Sequence, residues 1–240
     1  MRRSPVRVRE VAQGERLVPF FCTMSKQPAI IVPEGCNKIL LHACCAPCSS
    51  AIVEWLLAHN ITPVIFYFNP NIYPLEEYEI RKSESKRHAE SLGITWIDND
   101  YDHEVWLQAV CGLEHEPERG KRCEACFYHR LAATARKAQE LNIPFFATTL
   151  ASSRWKNLDQ INAAGKAAEL PGVQFWPQNW RKDGLQERRN ELLKEYGFYN
   201  QLYCGCEFSI AATARNMGSI EGASPTACTI HSFGVNLPKR

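Results

Sequence analysis

The 240-residue chain contains no run of about 18 apolar residues, so no helix is expected to span a membrane. It also lacks a charge bias: 28 Lys and Arg stand against 26 Asp and Glu, a formal net charge of +2. A basic surface for nucleic acid would therefore be local rather than global. No G-x-x-x-x-G-K-[ST] and no G-x-G-x-x-G occurs, and a nucleotide cofactor is not predicted. There is no internal repeat. The basic start is followed only by the short apolar stretch Leu17–Cys22, too brief for a secretory signal, and a cytoplasmic, reducing location is expected.

Cysteine is what the chain has in excess, with 11. In a reducing compartment that number points to metal or redox chemistry, and an odd count argues against a fully paired disulfide framework. With 45% hydrophobic and 10% aromatic residues the chain can build a core, which excludes wholesale disorder.

Short apolar runs alternate with helical stretches. Lys38–His42, Pro63–Phe68, Ile94–Ile97 and Phe145–Thr149 read as strands. Ser49–His59, Leu75–Leu92, Glu104–Val110, Arg122–Leu141, Leu158–Glu169, Leu185–Tyr196 and Phe208–Asn216 read as helices. This order predicts an α/β fold, a mainly parallel Rossmann-like or HUP-like sheet flanked by helices, with a helical C-terminal part. Residues 1–36 and 217–240 read as irregular extensions around a single domain over 37–216. Ligands of such sheets bind beyond the carboxyl ends of the strands, here the loops after Leu41, Phe68 and Thr149.

Seven cysteines fall into three groups near those loops: Cys44-Cys45-Ala-Pro-Cys48, Cys123-Glu-Ala-Cys126 and Cys204-Gly-Cys206. Cys22, Cys36, Cys111 and Cys228 stand alone and read as unpaired thiols in core or loop. Cys123 and Cys126, at i and i+3 near a helix start, share a face, and the helix dipole there favours thiolate. With Cys44 and Cys45 they make a two-plus-two set, enough for a structural zinc or a [4Fe–4S] cluster. Adjacent cysteines are unusual for zinc, which tilts the reading toward iron. A disulfide across the single Gly205 would be strained and redox-active; the pair could equally supply two more metal ligands. His42 reads as a core or supporting histidine, and Asp98, Asp100 and Asp102 as a solvated turn.

Four stretches together carry a resemblance: Leu40-Leu-His-Ala-Cys-Cys-Ala-Pro-Cys-Ser-Ser50; Phe68-Asn-Pro-Asn-Ile-Tyr-Pro74 with Glu77, Tyr78 and Arg81; Arg122-Cys-Glu-Ala-Cys-Phe-Tyr-His-Arg-Leu131; and Cys204-Gly-Cys-Glu-Phe-Ser209. Over about residues 37–216 the chain resembles the QueH-type epoxyqueuosine reductases. The resemblance implies two-electron reductive removal of the epoxide oxygen from epoxyqueuosine at the tRNA wobble position. It implies a [4Fe–4S] cluster on Cys44, Cys45, Cys123 and Cys126, and a redox-active pair at Cys204 and Cys206. An additional iron near the cluster is also implied, with Cys48 close enough in sequence to be considered for it. The electron donor is not identified by the sequence.

Opening an epoxide also needs a positioned acid, for which Tyr73, Glu77 and Asp100 are the candidates. Asn69, Tyr73, Arg81, Arg188 and Arg189 are expected to contact the tRNA substrate. Arg119, Lys121, Arg122, Arg130, Arg136 and Lys137 cluster around one long helix. Arg154, Lys156, Arg181 and Lys182 form further basic groups, with Trp155 and Trp180 interleaved to stack an unpaired base. The competing reading is a zinc-stapled RNA-binding module without redox activity.

Overall fold

A computed structural model describes residues 30–210 of the chain. Five strands form one parallel sheet: β1 (Lys38–His42), β2 (Thr62–Tyr67), β3 (Trp96–Asp98), β4 (Phe145–Thr148) and β5 (Gln174–Phe175), in the order β3-β2-β1-β4-β5. The helices are α1 (Ala46–Ala58), α2 (Leu75–Ser91), α3 (His103–Ala109), α4 (Lys121–Glu140), α5 (Leu158–Ala167) and α6 (Leu185–Glu195). The expected α/β class is what the chain adopts.

The central strands read as unbroken apolar runs because both faces of the sheet are covered. Ile39, Leu40 and Leu41 of β1 are fully buried, as are Phe66 of β2 and Phe146 of β4. Helix α1 packs on α2 and α6, and α4 on α5, the grouping that right-handed crossovers impose on this strand order. Helix α4 buries Phe127, Leu131, Thr134, Ala135 and Ala138, a stripe at helical spacing. Trp55 of α1 meets Trp176 and Trp180 at ring separations of 6.2 and 6.0 Å, filling the sheet's β5 side. Gly165 lets α5 approach Phe175, whose ring would lie 2.5 Å from an added Cβ.

Three local features depart from the sequence reading. Helix α1 starts at Ala46, not Ser49, because Cys45 serves as the N-cap and Pro47 sits in the first turn, where its missing N–H costs nothing. Strand β5 spans two residues, too few to show a pattern, and exists through its pairing with β4. A 3-10 turn over Thr149–Ser152 follows β4. In the Asp98–Asp102 segment, Asp98 pairs with Lys82, and Asp102 caps α3 by accepting the Val105 N–H at 3.0 Å. Residues 207–210 are helical. The rest of the expected last helix, the C-terminal tail, Cys22 and Cys228 lie outside the described residues.

The order of the strands reverses direction between β1 and β4. The two strands stay paired to their last residues, His42 and Thr148, and the connections that leave them run to opposite sides and frame a crevice. The residues directly after β1 and β4 define its floor.

Candidate metal and redox site

One residue beyond β1, the chain delivers Cys44 and Cys45 to the N-terminus of α1, and Cys48 follows within the first helical turn. The three sulfurs lie within 4.8 Å of one another, with Cys44 and Cys45 Sγ at 3.8 Å. Thr149, directly after β4, stitches this loop across the crevice. Its hydroxyl oxygen accepts the Cys44 N–H at 3.1 Å and its O–H donates to Cys44 Sγ at 3.4 Å. Hydrogen bonds from Cys45 and Cys48 hold the Cys44 thiol well below its ordinary range, assisted by the charge of Lys156. Interaction with the Cys44 thiolate pushes Cys45 and Cys48 up. Three thiols this close, with Cys44 the most readily ionised of them, make a group able to take a metal ion.

A cavity of about 570 Å³ opens above this loop, and Cys44, Cys48, Cys123, Cys204 and Cys206 all line it. Cys123 enters from the first turn of α4, where Gly120 is the N-cap. Cys126, one turn further, is buried in a small cluster with Trp106, Val110, Cys206 and Phe208. The thiolate expectation for the start of α4 is corrected at Cys123: burial pushes its thiol up to about 11 and outweighs the opposing hydrogen bond, an Arg119 N–H donated at 3.3 Å. Burial and the charge of Cys204 likewise push Cys206 up to about 12.

The same cavity is lined by the cations of Arg81, Arg119, Arg122, Arg130, Arg154, Lys156 and Arg189, against the single carboxylate of Glu118. Arg122 and Arg130 are buried. Arg130 donates to Asn69 Oδ1, and Asn69 Nδ2 donates to Ala43 O at 2.9 Å, tying α4 to the residue just before the Cys44-Cys45 pair. Arg122 is held by the carbonyls of Glu114 and Glu116 and lies over the Phe208 ring. Burial works against the Lys156 ammonium, but the neighbouring thiol groups of Cys204, Cys44 and Cys48 outweigh it and raise its pKa. Among the described residues the lining thus sets seven cations around five sulfurs, a strongly positive surround.

The Cys204-Gly-Cys206 arm is fastened to the loop after β2. The Tyr73 N–H donates to Gly205 O at 2.8 Å, and Tyr203 O–H donates to Tyr73 O at 2.6 Å. Buried Arg81 donates to the carbonyls of Cys204 and Tyr203, both at 3.3 Å. Glu77 holds Arg81 at 2.6 Å and also accepts the Tyr199 O–H at 2.8 Å. Gly205 has φ +122, and an added Cβ would lie 3.1 Å from Arg81 Nη1 and Ile72 Cγ1. Gln201 Nε2 donates to Cys45 Sγ at 3.2 Å, so the arm also reaches the thiol trio. Neither Cys204 nor Cys206 is in a disulfide.

Other sequence expectations divide. Asn69 and Arg81 line the cavity as buried members of these networks, while Tyr73 acts through its backbone and leaves its ring half exposed. Asp100 is exposed and Glu77 is committed to Arg81 and Tyr199. Arg189 lines the cavity, whereas Arg188 is neutralised by Glu54, Glu191 and Glu195. Trp180 is corrected: at 1% exposure it is a core residue with Nε1 on Thr148 O, unable to stack a base, unlike Trp155. His42 is buried between Thr148 Oγ1 and Phe68 O, where burial lowers it to about 3 and keeps it neutral. Sequence reasoning missed Thr149 and Gln201, single polar residues with no motif spacing to mark them.

The fold and site define a class: a doubly wound α/β protein whose switch point carries three cysteines able to hold a metal ion, beneath a cation-lined cavity. The profile described as Epoxyqueuosine reductase QueH matches residues 39–212, and the chain belongs to that family. It is similar to the Epoxyqueuosine reductase QueH of Histophilus somni, with 47% identity over 189 residues covering 78% of each chain. The protein of that name from Haemophilus influenzae is 48% identical over 181 residues, 75% of this chain and 74% of its own. That of Acinetobacter baylyi is 45% identical over 186 residues, covering 77% and 85%. Among the described residues, no helix is long and apolar enough to cross a membrane.

Proposed function

We propose that this chain is an epoxyqueuosine reductase acting on the wobble nucleoside of tRNA, with the cavity at the β1/β4 switch point as its active site. The observation that carries the reading is the convergence of cysteines from all three sequence groups on one cation-lined cavity, in a member of this family. The reaction removes the epoxide oxygen as water: two electrons and two protons enter, two carbon–oxygen bonds break, and an alkene forms. Oxidising the Cys204 and Cys206 thiols to a disulfide releases two electrons and two protons, which balances one turnover. An external reductant then resets the pair.

We infer that Cys44, Cys45, Cys123 and Cys126 would hold a [4Fe–4S] cluster: Cys44 and Cys123 line the cavity, and Cys45 and Cys126 are buried beside them in the chain. Free thiols are present, Cys44 favours thiolate, and N–H or O–H groups reach the sulfurs of Cys44, Cys45 and Cys123. Lys156 and the buried arginines offset the negative charge of such a set. A cluster there would supply electrons singly at low potential. Cys48, packed against Cys44 and Cys45, is the ligand proposed for an additional iron. Arg189 and the other rim cations track the tRNA phosphates, while Asn69 and Arg81 hold the loops that shape the cavity. A tRNA substrate implies work in the cytoplasm.

Anaerobic purification with metal analysis, followed by a reduction assay on epoxide-bearing tRNA, tests the reading. About four or more irons per chain, a brown colour bleached by air, and conversion to queuosine are expected. A colourless, oxygen-indifferent zinc protein that binds tRNA without turnover would establish the zinc-stapled module instead.

A further inference from the structure

Two large apolar side chains stand open to solvent where they line the cavity: Trp155 is 69% exposed and Leu202 is 85% exposed. Trp55, Trp106, Trp176 and Trp180 are all buried, so Trp155 is not exposed for want of a core to enter. Nor is its segment loose. Arg119 Nε donates to Trp155 O at 2.8 Å, Arg181 Nη2 donates to Lys156 O at 2.9 Å, and the Trp155 N–H reaches Ser153 Oγ at 3.3 Å. The Arg154 guanidinium lies 5.3 Å over the indole. Leu202 is fixed on both sides, by Gln201 on Cys45 Sγ and by Tyr203 on Tyr73 O. A held, outward-facing indole beside Arg119, Arg154 and Lys156, none of them in a salt bridge with a carboxylate among the described residues, has the composition of a single-strand nucleic-acid contact, in which cations take phosphate and the ring takes a base.

We propose that Trp155 and Leu202 hold the anticodon loop at its two bases flanking the wobble position. Trp155 stacks on one base, and Leu202 supplies an apolar contact to the other. The inference rests on the tRNA reading above. A nucleoside that enters the cavity leaves its place in the loop's stack and bares the faces of both neighbours. Apolar side chains at the cavity rim recover that lost contact. The excess of cations over carboxylates supplies the matching charge for the loop's phosphates.

The test uses the metal-loaded full chain and an anticodon stem-loop RNA, intact or with an abasic site on either side of the wobble position. Trp155→Ala should weaken binding of the intact RNA about tenfold, the scale of one base–aromatic stack, while Trp155→Phe retains most of it. One flanking abasic site should cost the unaltered protein a similar factor and cost Trp155→Ala nothing further. The other abasic site should couple in the same way to Leu202→Ser. Iron content and circular dichroism should not change. Unaltered affinity in Trp155→Ala, or abasic penalties that persist in full in both variants, would overturn the stacking assignment and leave the tRNA reading standing. Failure of the unaltered protein to bind the stem-loop would overturn both.

Discussion

At the scale of single residues, the cysteines divide by what surrounds them. Cys44 is drawn toward thiolate by its neighbours, whereas Cys206 is held as a thiol by burial. Replacing Cys204 or Cys206 with Ser should abolish turnover and leave iron bound, whereas Cys44→Ser should lower the iron content; metal analysis on the same preparations reads both. Iron lost on Cys206→Ser would reassign that sulfur as a ligand. Gly205 is a second sensitive position. Its positive φ strains any other residue, and at 3.1 Å from an added Cβ, Arg81 and Ile72 would have to give by a few tenths of an ångström. Gly205→Ala should cost about 1–3 kcal/mol locally and reduce turnover by displacing the arm, with iron retained. Arg188 and Arg189 are adjacent but face different partners. Charge reversal at Arg189 should weaken tRNA binding and flatten its salt dependence. Reversal at Arg188 should instead disturb its pairing with Glu54, a part-exposed contact worth no more than about 1 kcal/mol, visible as a small drop in Tm.

At the scale of elements, α2 meets the segment after α6 through His88. Its ring is buried edge-on against Tyr196 and Phe198, both at 5.1 Å, and burial lowers its pKa to about 4. The unfolded chain titrates this group near 6.5, so between about pH 6.5 and pH 4 only the unfolded state binds the proton. Stability is therefore full above pH 6.5 and falls as the medium is acidified, by at most about 1.4 kcal/mol per pH unit from this group. Urea denaturation at pH 7 and pH 5 should show a smaller loss for His88→Gln than for the unaltered protein. A difference of the same size in both would remove His88 as a source.

The elements also show what local pattern could and could not convey. Strands β1, β2 and β4 are readable because burial on both faces leaves apolar runs such as Ile39-Leu-Leu41. Helix α4 is readable from its stripe. Strand β5 is not, since two residues carry no periodicity and its existence depends on β4 alone. At the site, the cysteine groups announce themselves by spacing. Thr149 and Gln201 act through contacts to residues more than 100 positions away in the chain, which no spacing records. Arg122 and Arg130 look like surface charge in the sequence, yet both are buried, because backbone carbonyls and Asn69 receive their guanidinium groups.

At the scale of the whole molecule, the cavity draws on nearly every crossover: the β1–α1 turn, the loop after β2, the start of α4, the turn after β4 and the arm at residues 200–206. A metal bound there would cross-link segments remote in sequence, and its binding energy would add to folding. Removing iron with a chelator under reducing, anaerobic conditions should lower Tm by several degrees. Cys36→Ser, at a buried thiol outside the cavity, should leave the iron content unchanged and the chelator-induced fall in Tm intact.

The joint between Tyr73 and Gly205 is made by peptide groups, the amide of one and the carbonyl of the other. Such a clasp does not depend on which side chain occupies position 73. Aromatic, aliphatic or polar residues could all succeed there and still moor the arm. Only an imino acid, having no hydrogen to give, would cast it off.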